Sequence, residues 1–161
     1  MRVGITGHAN LVAECRDDVR SALGGVLAAE LAERGGSLVG VTCLAPGADQ
    51  LFAEAVLDLG GAVEVVLPAG DYRTKLAPDD VLRYDDLLRR ASVVSVLPFE
   101  MSGRRAYAAA SERVLASVEL LLAVWDGRPP DGRGGTADVV DHARATGVEV
   151  RVVWPETARR A

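Results

Sequence analysis

A chain of 161 residues, 49% of them hydrophobic, holds enough apolar material for one domain with its own core and too little for two. Its formal charge of −5 argues against a nonspecific nucleic-acid binder, which needs a net or clustered positive face to displace counterions. No uncharged apolar run reaches the ~18 residues of a membrane span, and Met1 leads straight into a strand-like segment without a signal-peptide layout, so a cytoplasmic protein with no membrane partner is expected.

The elements follow as alternating apolar runs and helical stretches. A strand over Arg2–Thr6 enters the turn of "GITGHAN", where Gly4 and Gly7 stand three apart and Thr6, Gly7 and His8 form the passage into a helix over Leu11–Arg34, with Asn10 as a candidate N-cap. The stretch matches neither GxGxxG nor GxxxxGK[ST]. A strand over Leu38–Cys43 continues through "PGADQ" into a helix over Asp49–Leu59. Gly47 permits a close approach there, and Asp49 either caps the helix or turns its carboxylate toward a ribose hydroxyl or the neighbouring loop. After a strand over Ala62–Leu67, a loop carries Asp71 and Tyr72, the tyrosine placed to stack on a base or to anchor the loop, and a helix spans Asp79–Arg90. A strand over Val93–Leu97 and the turn "FEMSGRR" precede a helix over Arg104–Ala116. Its first arginines, Arg104 and Arg105, are either phosphate clamps or solvated, and its apolar face suits the domain interior and a homodimer contact equally. A strand over Leu120–Trp125, a Gly/Pro-rich loop, a helix over Ala137–Thr146 and a strand over Glu149–Val153 complete the pattern.

Near-continuous Val/Ile/Leu strands alternating with amphipathic helices predict an α/β protein: a Rossmann-like three-layer α/β/α sandwich with a mainly parallel sheet of about six strands. Residues 1–154 form the single domain, and 155–161, "PETARRA", reads as a dispensable tail. Cys15 and Cys43 are isolated from each other and from histidines, so no metal, disulfide framework or resident cofactor is called for.

Ligands of open parallel sheets sit beyond the carboxyl ends of the strands. Gly, Asp, His, Arg and Thr collect at that edge, whereas the opposite loops only reverse the chain. The densest stretch is "DGRGGTADVV": Gly132, Gly134 and Gly135 can expose successive amides, Thr136 can cap the helix, and the helix dipole favours a phosphate. Asp126 and Gly127 sit at the adjacent strand end. With Lys75 the only lysine, anion contacts are expected chiefly from arginine forks and backbone amides.

"GITGHAN", "PGADQLFAEAV", "VVLPAGDYR" and "LLAVWDGRPPDGRGGTADVV", in this order over nearly the whole chain, resemble the SLOG superfamily, a group of bacterial and other Rossmann-like domains that includes the Lonely Guy phosphoribohydrolases and the DNA-processing protein A fold. The chain looks most like its small bacterial members, with Ala9 where an arginine is usual. The resemblance implies a nucleotide or phosphate-containing small molecule, held by Gly134, Gly135 and Thr136, with Gly4, Thr6, Gly7, His8, Gly47, Ala48, Asp49, Asp126 and Gly127 around it, as a binding or sensing module. Cleavage of an N-glycosidic bond in nucleoside monophosphates is the alternative, with Asp126 and Asp138 as candidate acids and Asp49 a further one. The phosphoribohydrolase motif PGGxGTxxE, laid on Gly135 and Thr136, puts Val139 at the glutamate and Asp138 one residue early, about 100° around the helix. An assembly role in a DNA-handling complex is a third reading, against which the acidic balance speaks.

Overall fold

The computed structural model describes residues 1–129 and 135–161. The chain runs β1 (Arg2–Gly7), a 3₁₀ turn (Ala13–Cys15), α1 (Arg16–Arg34), β2 (Val39–Thr42), α2 (Ala48–Asp58), β3 (Ala62–Leu67) and a second 3₁₀ turn (Tyr72–Lys75). It continues through α3 (Pro78–Arg90), β4 (Val93–Val96), α4 (Arg104–Ala116), β5 (Leu120–Val124), α5 (Thr136–Ala145) and β6 (Glu149–Val152). The six strands form one sheet in the order β4-β3-β2-β1-β5-β6, every pair parallel. The order reverses at β1, whose neighbours are β2 and β5, and this is where a parallel sheet opens a crevice.

Strand periodicity sorts the core into two layers. Val63, Val65 and Leu67 of β3 join Leu23 and Leu27 of α1, Phe52 of α2 and Leu87 of α3 in one cluster. Val66, from the other face of β3, packs with Val41 of β2 and with Ala110 and Val114 of α4. Leu121 of β5 meets Leu115 of α4 and Ala143 of α5. The three-layer sandwich expected from the sequence is thus the observed one. β5 is buried throughout, as a strand covered on both faces should be. β4 departs from that pattern: it is an edge strand, α3 packs mainly on α2, and Val93, Val94 and Val96 keep 48, 44 and 55% of their surface.

Three expected caps are absent. Asn10 donates from Nδ2 to the Ala161 carbonyl at 2.6 Å instead of capping the first helix. Gly47 is the N-cap of α2 and Gly135 that of α5, neither with a side-chain cap, so Asp49 and Thr136 lie inside their helices. The segment after Pro155, read from sequence as dispensable, is packed: Ala158 is 1% exposed, and Leu11 bridges Arg160 in antiparallel fashion. Val12 N–H donates to Arg159 O and Ala161 N–H to Asn10 O. Among the described residues no helix is long and apolar enough to cross a membrane.

Candidate functional site

The carboxyl ends of β1, β2 and β3 form the floor of a cavity of about 530 Å³, which α4 and the first turn of α5 enclose. Thr6, Gly7, His8, Asp49, Gly135 and Thr136 share its lining, so six of the residues read from the sequence come together. Gly4, Gly47, Ala48, Asp126 and Gly127 do not line it. Gly134, like Gly132, lies outside the described residues.

The close approach that some of these glycines permit is of the chain to itself. A Cβ on Gly7 would stand 2.4 Å from Ala48 Cβ and 2.8 Å from Val124 Cβ, so β1, β5 and α2 meet only because that position is bare. Gly47 combines φ +74° with a neighbour, the His8 carbonyl oxygen, 2.6 Å from where its Cβ would lie.

Asp49 is 7% exposed. Its Oδ2 accepts from Thr42 Oγ1 at 3.1 Å, Cys43 N–H at 3.2 Å and Ala45 N–H at 3.3 Å, and of the readings open to it, the neighbouring loop is the one these bonds satisfy. Thr42 Oγ1 in turn accepts from the N–H of Leu44, the sole non-glycine at positive φ (54°) among the described residues. One carboxylate therefore holds a strained turn at the cavity wall. Burial pushes its pKa up to about 6 against the pull of the three bonds.

Behind His8 stands a second polar group. Asp126 N–H donates to His8 Nε2 at 3.4 Å. The Asp126 carboxylate accepts from Arg128 N–H at 3.0 Å through Oδ1 and pairs through Oδ2 with Arg160 Nε at 2.8 Å. Oδ1 also lies 3.4 Å from His8 Nε2, and the imidazole stands edge-on to Trp154 at 5.6 Å between centroids. Burial, then Arg160, hold the His8 pKa below the ordinary imidazole value against the pull of Asp126. The neutral ring fits the bond in which Nε2 accepts from the main chain. Burial would raise the Asp126 pKa, but the Arg128 N–H, Arg160 and His8 together hold it below the usual carboxylate range.

Of the remaining wall, Tyr72 was expected from the sequence, and Lys75, Tyr107 and Ser111 were not. Lys75, the sole lysine, lines the cavity, and no arginine does so among the described residues, so the expected arginine forks are replaced by one ammonium. Its Nζ is 3.8 Å from Asp71 Oδ2. Asp71 itself ties two loops by accepting from the N–H and Oγ of Ser102 at 2.7 and 2.6 Å. Tyr72 is buried at 6% exposure and meets Tyr84 and Tyr107 edge-on at 6.1 and 6.4 Å, an anchor that also faces the cavity. Tyr107 and Ser111 of α4 line it one helical turn apart. Their i, i+4 spacing on the cavity side of α4 was the available signal. Arg104 and Arg105 are exposed and outside the lining. Val139 lines the cavity while Asp138 does not. No three His, Cys, Asp or Glu side chains among the described residues gather as a metal set.

Sheet order, two helical layers and a cavity at the strand ends define a Rossmann-like α/β domain. No family model matches the sequence, and no curated protein does. Solved structures match in fold. DNA processing protein A (DprA) of Streptococcus pneumoniae aligns with a TM-score of 0.66 at 20% identity, over 94% of this chain and 49% of that one. DNA processing protein A of Helicobacter pylori, characterised for its single-stranded DNA binding mode, gives 0.65 at 16% over 94% and 64%. TM1055, a structural-genomics target, gives 0.57 at 20% over 92% and 71%. The chain spans about half the length of the Streptococcus protein and just under two thirds of the Helicobacter one. The likeness is one of fold: the chain shares a Rossmann-like α/β fold with these proteins.

Proposed function

We propose that the cavity binds a nucleotide or a nucleotide-derived phosphate ligand, and that the protein is a cytoplasmic binding or sensing module. The observation that carries this reading is the shared lining of one concave site by the start of α5, Lys75, Tyr72 and Tyr107, and the polar groups of Thr6, His8 and Asp49. A phosphate suits the start of α5 at Gly135 and Thr136, where first-turn amides and the helix dipole favour an anion. Lys75 supplies the one full positive charge among the described lining residues, and Tyr107, 43% exposed, offers a face to a base. His8 is left for the sugar or base edge, and Asp49, whose Oδ2 is spent on the neighbouring loop, shapes the wall beside it. Gly47, Ala48, Asp126 and Gly127 act one layer back, by shaping the turns, and Gly4 acts there by letting α4 pack on β1.

Titration calorimetry against nucleoside mono-, di- and cyclic phosphates is expected to yield at least one ligand with micromolar affinity, and no binding below millimolar across the panel overturns the reading. Incubation with nucleoside monophosphates followed by chromatography is expected to leave them intact, because Val139 and not Asp138 lines the cavity. Release of free base would make the protein a glycosidic hydrolase. Single-stranded DNA, which the Helicobacter protein binds, belongs in the same panel: the fold likeness speaks for it and the charge of −5 against it.

A further inference from the structure

We propose that Arg160 is a positioning residue for this site: delivered by the segment after β6, it occupies the Asp126 carboxylate and so leaves His8 docked through Nε2 on the Asp126 main-chain N–H, an uncharged lining group. The claim that His8 serves a ligand rests on the nucleotide reading above; the arrangement of the three residues does not.

The geometry carries it. Nε2 has two partners at 3.4 Å, the Asp126 N–H and Asp126 Oδ1, and can accept from the first or, when protonated, donate to the second. The carboxylate is already engaged on both oxygens, by Arg128 N–H at 3.0 Å and Arg160 Nε at 2.8 Å. A carboxylate so satisfied draws a proton onto a neighbouring imidazole only weakly, and a guanidinium beside the ring opposes the charge. With Nε2 accepting, the ring proton sits on Nδ1. Three hydrogen bonds hold Arg160 in place: Val12 N–H to Arg159 O and Ala161 N–H to Asn10 O, which make the antiparallel Leu11–Arg160 bridge, and Asn10 Nδ2 to Ala161 O. Among the described residues, three elements bring groups to His8. β5 and its following turn bring Asp126 and, on its carboxylate, Arg128 at 4.0 Å; the segment after β6 brings Arg160 and the Trp154 ring; the turn before α2 meets it through main chain, with Ala48 N–H on the His8 carbonyl.

Titration of the imidazole nitrogen shifts by NMR tests this without any ligand, since the chain has two histidines and His142, exposed on α5, serves as the reference within each sample. The parent is expected to show His8 as the Nδ1–H tautomer. Arg160→Gln should move its midpoint up, because the freed carboxylate then pairs with the ring, and Arg160→Lys should move it less. Asp126→Asn keeps the main-chain N–H and removes the attracting charge, so it should move the midpoint down. A purely structural role would shift both variants the same way, toward the value of a solvated histidine. An unmoved midpoint in Arg160→Gln, or an Nε2–H tautomer in the parent, overturns the proposal. If Arg160→Gln does not fold, the sign in Asp126→Asn decides, and a rise overturns it. Should a phosphate ligand be in hand, its affinity is expected to grow more steeply with falling pH in Arg160→Gln than in the parent; failure of all nucleotides to bind leaves the titration result standing.

Discussion

Asp49 is an acid with three donors and almost no water. Its folded-state value of about 6 lies above the ordinary 3.8, so the folded protein holds the proton more tightly than the unfolded chain does. The resulting stabilisation is complete below the unfolded value and is lost as pH rises through about 6. Urea midpoints should therefore fall between pH 4 and 6 through a component on the order of 2–3 kcal/mol that Asp49→Asn removes. Equal pH profiles for the two proteins would mean that the carboxylate is not the source. Gly7 is a second single-residue constraint. Gly7→Ala puts a methyl against Ala48 and Val124, neither of which has a flexible end to swing away, and should cost about 2–3 kcal/mol in urea unfolding. Gly4→Ala should cost less, because the nearest atom, Val114 Cγ1 at 2.9 Å, belongs to a side chain that can turn.

At the scale of elements, the start of α5 carries the most specific expectation. Gly135 has φ −83° and ψ −178°, extended backbone that valine adopts readily, so Gly135→Val should leave the melting temperature within a degree or two of the parent. Its side chain would nevertheless stand at the cavity wall beside the proposed phosphate position, and binding should drop at least tenfold in calorimetry. Parent-like affinity would reduce this loop to a turn. The elements themselves were legible, α4 to the residue and the strands to within about one, since unbroken apolar runs and glycine at helix ends have few other uses. β4 shows where that signal stops. Its run of valines reads like β5, yet it lies at the sheet edge, and position within a sheet leaves no mark on a single strand's composition.

For the whole molecule, the decisive contacts join distant parts of the chain. Sequence reading found the strand-end residues Thr6, Gly7, His8, Asp49, Gly135 and Thr136, because turn chemistry is local. It missed Lys75 and Tyr107, as well as the Asp71–Ser102 and Asp126–Arg160 ties, because such pairs have neither spacing nor periodicity to announce them. The segment after Pro155 is the plainest case: charged and short, it looks like a tail and is built as a strap over the start of α1. Thr157 Oγ1 donates to Asp18, and Cys15 Sγ lies within hydrogen-bond reach of Arg159 O at 3.4 Å. Deletion of residues 156–161 is expected to remove about 2–4 kcal/mol and to lower the melting temperature measurably, through lost main-chain bonds and an Asp126 left buried without its guanidinium. An unchanged melting curve would show the strap to be ornamental.

The edge-on contact between His8 and Trp154 gives the protein an optical handle on its own interior. Both tryptophans belong to this corner, Trp125 with its indole N–H on Arg128 O at 2.9 Å and Trp154 against the imidazole, while all three tyrosines cluster around the opposite wall. A protonated imidazole quenches a neighbouring indole by accepting an electron from its excited state, whereas the neutral ring does so poorly. Emission excited at the red edge of the indole band should accordingly dim as pH falls through the His8 midpoint, and Trp154→Phe should abolish most of the change while Trp125→Phe preserves it. The same dimming should begin at higher pH in Arg160→Gln, so a fluorimeter can follow the charge on one buried ring without a label.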